Sequence, residues 1–311
     1  MARTRTVVLG RTGTEFRFAA DFDEPLRRWL REPDGLLPGA DVELLRFDMR
    51  RRAGPAPPAG GCAHEGVPVW LTREGHRLRC DGPLGTGGEV DLATGTGTVW
   101  APPGHPEACW RAIHHCLRPL WYAALARRGL HPVHASAVVG PAGAICLAGA
   151  SGAGKSTLAG RLAGRGARFL SDDVCFVDET TFELYGLGDA CRLRPGAEPL
   201  LPTLGAEPNG KRPAFVGTPT NGPATPRLLV LLASVAAGSS TWRAADPADA
   251  MAALVVSGFL AMDPAVDGRR LQTLGRLAER CPAIFVDRGA VPPSDDLLGT
   301  WLDGPTEDVT G

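Results

Sequence analysis

The second half of the chain alternates short apolar runs with segments whose apolar residues recur every three to four positions. Short apolar runs are typical of buried strands, and the longer spacing is typical of helices that bury one face. The pattern predicts strands at 133–139, 144–148, 169–170, 174–177, 227–232 and 283–286, and helices at 156–163, 247–260 and 268–280. Strands that alternate with helices indicate an α/β domain.

The first hundred residues follow a different pattern, typical of a small mixed domain. Strand-like runs are predicted at 5–9, 42–47, 67–71 and 77–80, with a helix at 23–31 and an exposed loop, rich in Pro and Gly, at 52–61. A longer helix is predicted at 106–128, because its apolar residues recur every three to four positions.

These changes of pattern divide the chain into four predicted segments. They are a small mixed α+β domain at 1–104, a connecting helix at 105–129, a larger domain at 130–303 and a disordered tail at 304–311. Within the larger domain, Pro and Gly are frequent at 196–220, which predicts a mobile surface excursion.

Composition narrows the class of protein. The net charge of −1 gives no global field that would favour nucleic acid or an anionic membrane. The longest apolar stretch, 228–237, is too short to cross a bilayer, and no apolar signal core follows the basic residues at 1–5. We therefore expect a soluble, cytoplasmic protein without a nucleic-acid or membrane partner.

The eight cysteines contain no C-x-x-C pair, and several lie in apolar runs, so buried reduced thiols are expected. The segment His114-His115-Cys116, with Cys109 upstream, suggests a metal site. It lies in the predicted long helix and has no second ligand pair at zinc-like spacing, which favours a structural role.

Lysine is rare in this chain. Of 33 Lys plus Arg residues only Lys155 and Lys211 are lysines. Lys155 completes the pattern G-x-x-x-x-G-K-[ST] of a phosphate-binding loop. The matching residues are Gly149, Ala150, Ser151, Gly152, Ala153, Gly154, Lys155, Ser156 and Thr157.

The surroundings of this loop are those that the motif needs, because a predicted strand precedes it and a predicted helix follows. Glycines let backbone N–H groups approach phosphates, and the start of the helix adds partial positive charge. The sequence therefore predicts a nucleotide site in which Lys155 reaches the β- and γ-phosphates and Ser156 ligates Mg²⁺. The alternative is an ordinary glycine-rich turn.

Phosphoryl transfer needs further groups, and adjacent carboxylates follow the loop helix at Asp172 and Asp173. One carboxylate could accept the proton of an attacking hydroxyl, while the other binds Mg²⁺ or holds Lys155. The alternative is a solvated turn between two short strands.

Three basic residues are candidates for contacts with phosphate or substrate. Lys211 and Arg212 lie in the predicted excursion and could close over the nucleotide, and Arg192 is a weaker candidate. The alternative for all three is a solvated basic turn. His134 precedes the loop strand, and a lone histidine is usually a core residue.

Together, His134-Ala135-Ser136, the loop at 149–157 and Leu170-Ser171-Asp172-Asp173-Val174 resemble the HPr serine kinase/phosphorylase C-terminal domain family. The resemblance implies that Lys155, Asp172 and His134 are catalytic. Asp172 would be the general base, and the acid in the reverse reaction, with Asp173 and His134 as its supports. It also implies the fold shared with phosphoenolpyruvate carboxykinase, an α/β (α+β) core with a mixed sheet rather than a doubly wound parallel one.

The resemblance covers less than a third of the chain, roughly 130–177. The Gly186-Leu187-Gly188 segment continues differently from that of the bifunctional enzymes, so phosphorylase activity is not implied. The layout is similar to HPr kinase-like proteins of modified-peptide pathways such as lasso peptides. Some of these phosphorylate a Ser of a precursor peptide. The family's regulatory kinases form hexamers, so a homo-oligomer is one state that the resemblance allows.

Three hypotheses follow. The first is an ATP- and Mg²⁺-dependent kinase that acts on a hydroxyl, most often Ser, of a peptide or small protein. The second is a kinase of a small hydroxylated metabolite. The third is a nucleotide-gated binding module that transfers nothing. The complete set of five candidate residues favours an enzyme; these residues are His134, Lys155, Ser156, Asp172 and Asp173.

Overall fold

A computed structural model of the protein describes residues 3–30, 43–54, 62–64, 67–105, 107–188, 191–193, 210–214, 216–233, 240–256, 263–287, 289 and 293–304. The chain forms two compact units, 1–128 with 260–267, and 129–259 with 268–311. The segment predicted as a connecting helix is thus grouped with the first unit, apart from its last residue. The predicted tail lies outside the described residues except for Gly304.

An eight-stranded sheet dominates the first unit, with the strand order β1-β2-β3-β8-β7-β6-β5-β4. The strands are β1 (Arg3–Leu9), β2 (Thr12–Phe18), β3 (Glu43–Arg51), β4 (Cys62–His64), β5 (Val67–Glu74), β6 (Arg77–Asp81), β7 (Gly87–Asp91) and β8 (Thr96–Ala101). The pairs β2–β3 and β3–β8 are parallel and the others are antiparallel. Four strands, β2, β4, β7 and β8, were not predicted. In β2, β7 and β8, Gly and Thr dilute the apolar alternation.

Helices cover the apolar side of this unit. They are α1 (Asp23–Trp29), α2 (Ala108–Arg111) and α3 (Arg118–Arg127), and a π-helical segment (Ala112–Leu117) joins the last two. The rings of Phe16 and Trp29 each lie 5.3 Å from the ring of Trp121, edge to face. Trp121 donates a hydrogen bond of 2.8 Å from Nε1 to Thr14, so the indole is satisfied inside an aromatic core.

The second unit contains the predicted strand–helix alternation. Its strands are β9 (Leu130–Val133), β10 (Ala135–Gly140), β11 (Gly143–Gly149), β12 (Arg168–Ser171), β13 (Cys175–Asp178), β14 (Leu184–Tyr185), β15 (Cys191–Leu193), β16 (Arg212–Ala214), β17 (Pro226–Leu232), β18 (Thr241–Ala245) and β19 (Ala283–Asp287). Its helices are α4 (Lys155–Gly164), α5 (Pro247–Val256), α6 (Pro264–Arg280) and α7 (Asp295–Asp303); α6 begins in the part of the chain grouped with the first unit.

The main sheet of this unit is mixed, with the order β12-β10-β11-β17-β19-β18. Strands β11, β17 and β19 run parallel, while β10, β12 and β18 add antiparallel pairs. The predicted mixed sheet is therefore confirmed, and a doubly wound parallel sheet would have been wrong. Two smaller sheets have the orders β14-β13-β9 and β15-β16.

Both faces of the main sheet are covered, which explains why its central strands are almost entirely apolar. In β11, Ile145 and Leu147 belong to one core cluster, whereas Cys146 belongs to the other. Helices α4 and α7 contribute to the first cluster, and α5 and α6 to the second. The core thus fixes β11 and α4, the two elements that flank the glycine loop.

Two predicted elements differ from the structure. The strand expected at 133–139 is interrupted at His134, where the chain leaves β9 in the three-stranded sheet and enters β10 in the main sheet. The expected surface excursion contains a buried part, because Pro213 and Ala214 lie in β16. Residues 196–209 and 215 lie outside the described residues.

Five elements of the second unit, β14, β15, β16, β18 and α7, were not predicted. Strand β18 is exposed along most of its length and offers no apolar run. Helix α7 begins at an N-cap in which Ser294 accepts a hydrogen bond from the N–H of Leu297. Among the described residues, no helix combines the length and apolar character needed to cross a membrane.

Candidate active site

The glycine loop connects the end of β11 to the start of α4. Gly152 and Gly154 have φ angles of +87° and +93°, which favour glycine because they lie in the left-handed region. At Gly149 a Cβ atom would lie 2.4 Å from the carbonyl oxygen of Leu232. The backbone of the loop therefore requires these glycines, and α4 begins immediately afterwards with its N–H groups at the loop.

Lys155 is the first residue of α4, and its side chain folds back over the loop. Its Nζ donates hydrogen bonds to the carbonyl oxygens of Gly149 (2.8 Å) and Ala150 (3.2 Å). Only 6% of the residue is exposed. The ammonium is thus held at the start of the loop, and an anion bound at the nearby N-terminus of α4 would attract it.

The chain passes between the three-stranded sheet and the main sheet at two aligned points, from β9 to β10 and from β12 to β13. Val133 is paired with Cys175 in the three-stranded sheet, and Ala137 is paired with Ser171 in the main sheet. Between these pairs, residues 134–136 lie opposite residues 172–174. The topology therefore places the segment 134–136 opposite the segment that carries the two carboxylates, although the two are distant in sequence.

Three hydrogen bonds converge on Asp172, which is 1% exposed. The hydroxyls of Ser136 and Ser156 donate to Oδ1 over 2.6 Å and 2.8 Å. The backbone N–H of Arg192 donates to Oδ2 over 2.7 Å. The contact with Ser156 joins this carboxylate directly to the first turn of α4.

The environment of Asp172 contains opposing influences on its pKa. Burial raises the pKa of this carboxyl, and the negative charge of Asp173 raises it further. The hydrogen bonds from Ser136, the Arg192 N–H and Ser156 lower the pKa, but burial dominates and the net direction is upward. A carboxylate with a raised pKa is a better proton acceptor at neutral pH.

Asp173 forms the tip of a tight turn. Its φ of +65° is unusual for a residue other than glycine, and the N–H of Val174 donates to the carbonyl oxygen of Asp172 over 2.8 Å. Ser171 closes the turn by donating from Oγ to the carbonyl oxygen of Val174 over 2.6 Å. Within this turn the two carboxylates have different partners, and Asp173 lies 3.9 Å from Nζ of Lys211.

The small β15–β16 sheet brings Arg192 and Lys211 to this site. Pro213 has no N–H and lies opposite Arg192, so this pair does not exchange hydrogen bonds and the Arg192 N–H is directed to Asp172. The thiol of Cys191 donates to the carbonyl oxygen of Ser156 over 3.0 Å, which ties β15 to α4. Lys211 directly precedes β16.

The oxygen atoms of Ser156 and Asp173 are the kind of ligand that a hard divalent cation prefers. Because Ser156 donates its proton to Asp172, the lone pairs of its Oγ can face a cation, and the neighbouring Asp173 supplies a carboxylate. Among the described residues, no group of three or more His, Cys, Asp or Glu side chains could hold a metal ion. A cation held by Ser156 and Asp173 would need further ligands, such as phosphate oxygens or waters.

The structure brings several of the predicted site residues together, since Ser156 and the Arg192 N–H contact Asp172 and Lys211 lies near Asp173. Ser156 contacts Asp172, whereas the predicted Mg²⁺ pair was Ser156 with Asp173. The side chain of Arg192 is buried and Arg212 is exposed. Roles of these residues, of His134 and of Thr157 in α4 stay predictions.

Two residues of the site were not predicted as such, Ser136 and Ser171. Ser136 is the single polar residue in the apolar run 135–139 and is fully buried. A buried hydroxyl in a central strand needs a hydrogen-bond partner, and this was a usable signal. Ser171 gives no comparable signal, because its role depends on the turn that follows.

The histidine cluster of the first unit has a different character. His114 is stacked on Trp110 with the ring centres 4.2 Å apart, and its Nδ1 lies 3.3 Å from the guanidinium of Arg118. Cys116 donates to the hydroxyl of Thr86. Seven cysteines whose side chains the structure describes are buried and form no disulfide. These contacts agree with the structural role favoured above.

No protein-family model matches the chain, and a search of curated proteins finds no match either.

Proposed function

We propose that the protein is an ATP-dependent kinase that transfers the γ-phosphoryl group to a hydroxyl, most often that of a serine, of a peptide or small protein. One observation carries this proposal: the hydroxyl of Ser156, in the first turn after the glycine loop, donates to Asp172 over 2.8 Å. A phosphate-binding element and a buried carboxylate thus meet in one contact, as phosphoryl transfer requires.

In this mechanism the loop amides and the N-terminus of α4 bind the phosphates. Lys155 moves its ammonium from the carbonyl oxygens of Gly149 and Ala150 to the β- and γ-phosphates. Ser156 and Asp173 would hold Mg²⁺, which would neutralise part of the phosphate charge when bound.

Asp172 acts as the general base. Its carboxylate accepts the proton of the acceptor hydroxyl while that oxygen forms a bond to the γ-phosphorus, and the bond from phosphorus to the bridging oxygen of the nucleotide breaks. Two hydroxyls already donate to Oδ1, so the acceptor hydroxyl must approach through Oδ2 or replace one of them. The raised pKa of Asp172 favours the proton transfer.

Mass spectrometry of phosphoryl transfer tests the proposal. The wild type and Asp172→Asn would each be incubated with Mg–ATP and a panel of serine peptides, including any encoded beside the gene. We expect one added phosphoryl group on a peptide with the wild type only. Asp48→Asn is the matched control, since Asp48 lies in β3 of the first unit and is 41% exposed.

The same experiment separates the other hypotheses. Transfer to a panel of small hydroxylated metabolites, with none to peptides, would replace the peptide acceptor by a metabolite. Tight nucleotide binding without any transfer would favour a binding module. Absence of nucleotide binding would overturn the proposal altogether.

A further inference from the structure

Both lysines of the chain lie at the candidate active site. The other basic residues, 33 minus 2, are 31 arginines. Lys155 contacts the loop carbonyls, and Nζ of Lys211 lies 3.9 Å from Oδ2 of Asp173. All other Lys or Arg positions of the chain are arginine, and the two lysines, Lys155 and Lys211, both belong to this site.

The difference between the two cations is chemical. A guanidinium grips a carboxylate with two parallel hydrogen bonds, as Arg79 does with Asp81, where both contacts measure 2.8 Å. An ammonium is a point charge on a flexible stem and makes no such fork. The contact of 3.9 Å between Lys211 and Asp173 brings opposite charge to the carboxylate without the two short parallel hydrogen bonds of such a fork.

Asp173 needs a counter-ion whether or not a ligand is present. Its side chain is 13% exposed, and it adjoins Asp172, which is almost completely buried. Two adjacent carboxylates with so little access to water repel one another. Lys211 supplies the opposite charge, and it stands where the proposed function requires Mg²⁺.

We propose that Lys211 is an internal counter-ion, which neutralises Asp173 in the nucleotide-free protein and is displaced from it when Mg²⁺ enters with the nucleotide. This inference rests on the proposed function. Lys211 and Mg²⁺ compete for one carboxylate, so Lys211 lowers the affinity for Mg²⁺ and protects the empty site from charge repulsion. An arginine would resist displacement, which gives a physical reason for lysine at this position.

Calorimetric nucleotide binding, rather than activity, tests the exchange. The dissociation constant of ATP would be measured in EDTA and in saturating Mg²⁺, and the ratio of the two values is the Mg²⁺ coupling. In Lys211→Met we expect the coupling to rise about tenfold, because Asp173 has lost its competing cation. In Lys211→Arg we expect it to fall below the wild-type value. Arg168→Met removes one exposed positive charge from β12 and should leave the coupling unchanged.

The outcomes separate this inference from the proposed function. An unchanged coupling in Lys211→Met, or an equal loss of affinity with and without Mg²⁺, would overturn the exchange and leave nucleotide binding intact. No ATP binding by the wild type would overturn the proposed function itself. If Lys211→Met does not fold, the Lys211→Arg variant tests the inference instead. A Mg²⁺ coupling equal to that of the wild type in this variant would contradict the displacement of Lys211 by Mg²⁺.

Discussion

Two buried polar clusters, one in each unit, look similar in sequence and differ in structure. In the first unit, His114 lies flat on Trp110 and its neighbour Arg118 donates to the hydroxyl of Tyr122 over 3.0 Å. In the second unit, three donors from three separate segments converge on the carboxylate of Asp172. The first cluster is local, because its members are four residues apart along a helix, whereas the second depends on distant strands.

This comparison of the two clusters gives a criterion that distinguishes structural from functional buried polar residues. A buried histidine that stacks and bonds along its own helix stabilises the packing of that helix. A buried carboxylate beside a second carboxylate carries an electrostatic cost that the fold itself does not require. We therefore expect opposite responses when each cluster is altered.

The largest effect is expected for Asp172→Asn. Loss of the base should lower phosphoryl transfer by about 10³-fold, while nucleotide affinity changes little. The amide can accept from the Arg192 N–H and donate to the two hydroxyls, so the hydrogen-bond network survives. Transfer by mass spectrometry and binding by calorimetry check this, and transfer at the wild-type rate would rule out Asp172 as the base.

Asp172→Asn should also increase stability, with a defined pH dependence. The pKa of Asp172 is higher in the folded protein than the ordinary Asp value of 3.8, so the folded state binds more protons above that pH. The contribution of Asp172 to stability is therefore most favourable at low pH and decreases as pH rises through its folded pKa. Urea denaturation of both proteins from pH 4.5 to 8 should show a growing advantage of the variant, and a constant difference would contradict the raised pKa.

Lys155→Met should mainly affect binding. One charge-assisted hydrogen bond to phosphate is worth about 1.5–3 kcal/mol, so ATP affinity should fall by roughly 10- to 150-fold. Calorimetry at fixed Mg²⁺ measures this, with Arg168→Met as the charge-matched control. Affinity equal to that of the wild type would mean that the glycine loop does not bind the phosphates.

Ser136→Ala should have an intermediate effect. It removes one of the two hydroxyl donors to Oδ1 and leaves Ser156 in place, so transfer should fall by about tenfold, within the cost of a lost hydrogen bond to a charged group. The pKa of Asp172 should rise, which moves the acid limb of the pH–rate profile to higher pH. Ser136→Thr keeps the hydroxyl and should restore the limb, whereas an unmoved limb in the alanine variant would show that Ser136 only packs.

The smallest effect on transfer is expected for His114→Phe. The ring can still stack on Trp110, but Arg118 loses a contact, so stability should fall by about 1 kcal/mol and transfer should stay within twofold. Denaturation followed by tryptophan fluorescence reports mainly on the first unit, which contains five of the seven tryptophans. A loss of transfer larger than tenfold would make this cluster functional and remove the contrast with Asp172.

Features that depend only on residues close together in the chain could be predicted from the amino-acid sequence. The glycine loop, its lysine and the flanking strand and helix follow from local geometry, because left-handed backbone at Gly152 and Gly154 is readily adopted only by glycine. Strands β11 and β17 were also predictable, because short apolar runs are typical of buried strands. The two adjacent carboxylates were also visible, although their burial was not.

Which of these residues contact one another depends on the tertiary structure. Strand pairing and the packing of α4 bring Ser136, Ser156 and the Arg192 N–H to one carboxylate, and these groups come from segments up to 56 positions apart. Register and sheet order set this arrangement, since the exchange between two sheets at His134 and at Asp172 cannot be read from either segment alone. Long-range pairing also explains why Lys211, in a segment predicted to lie on the surface, stands beside Asp173.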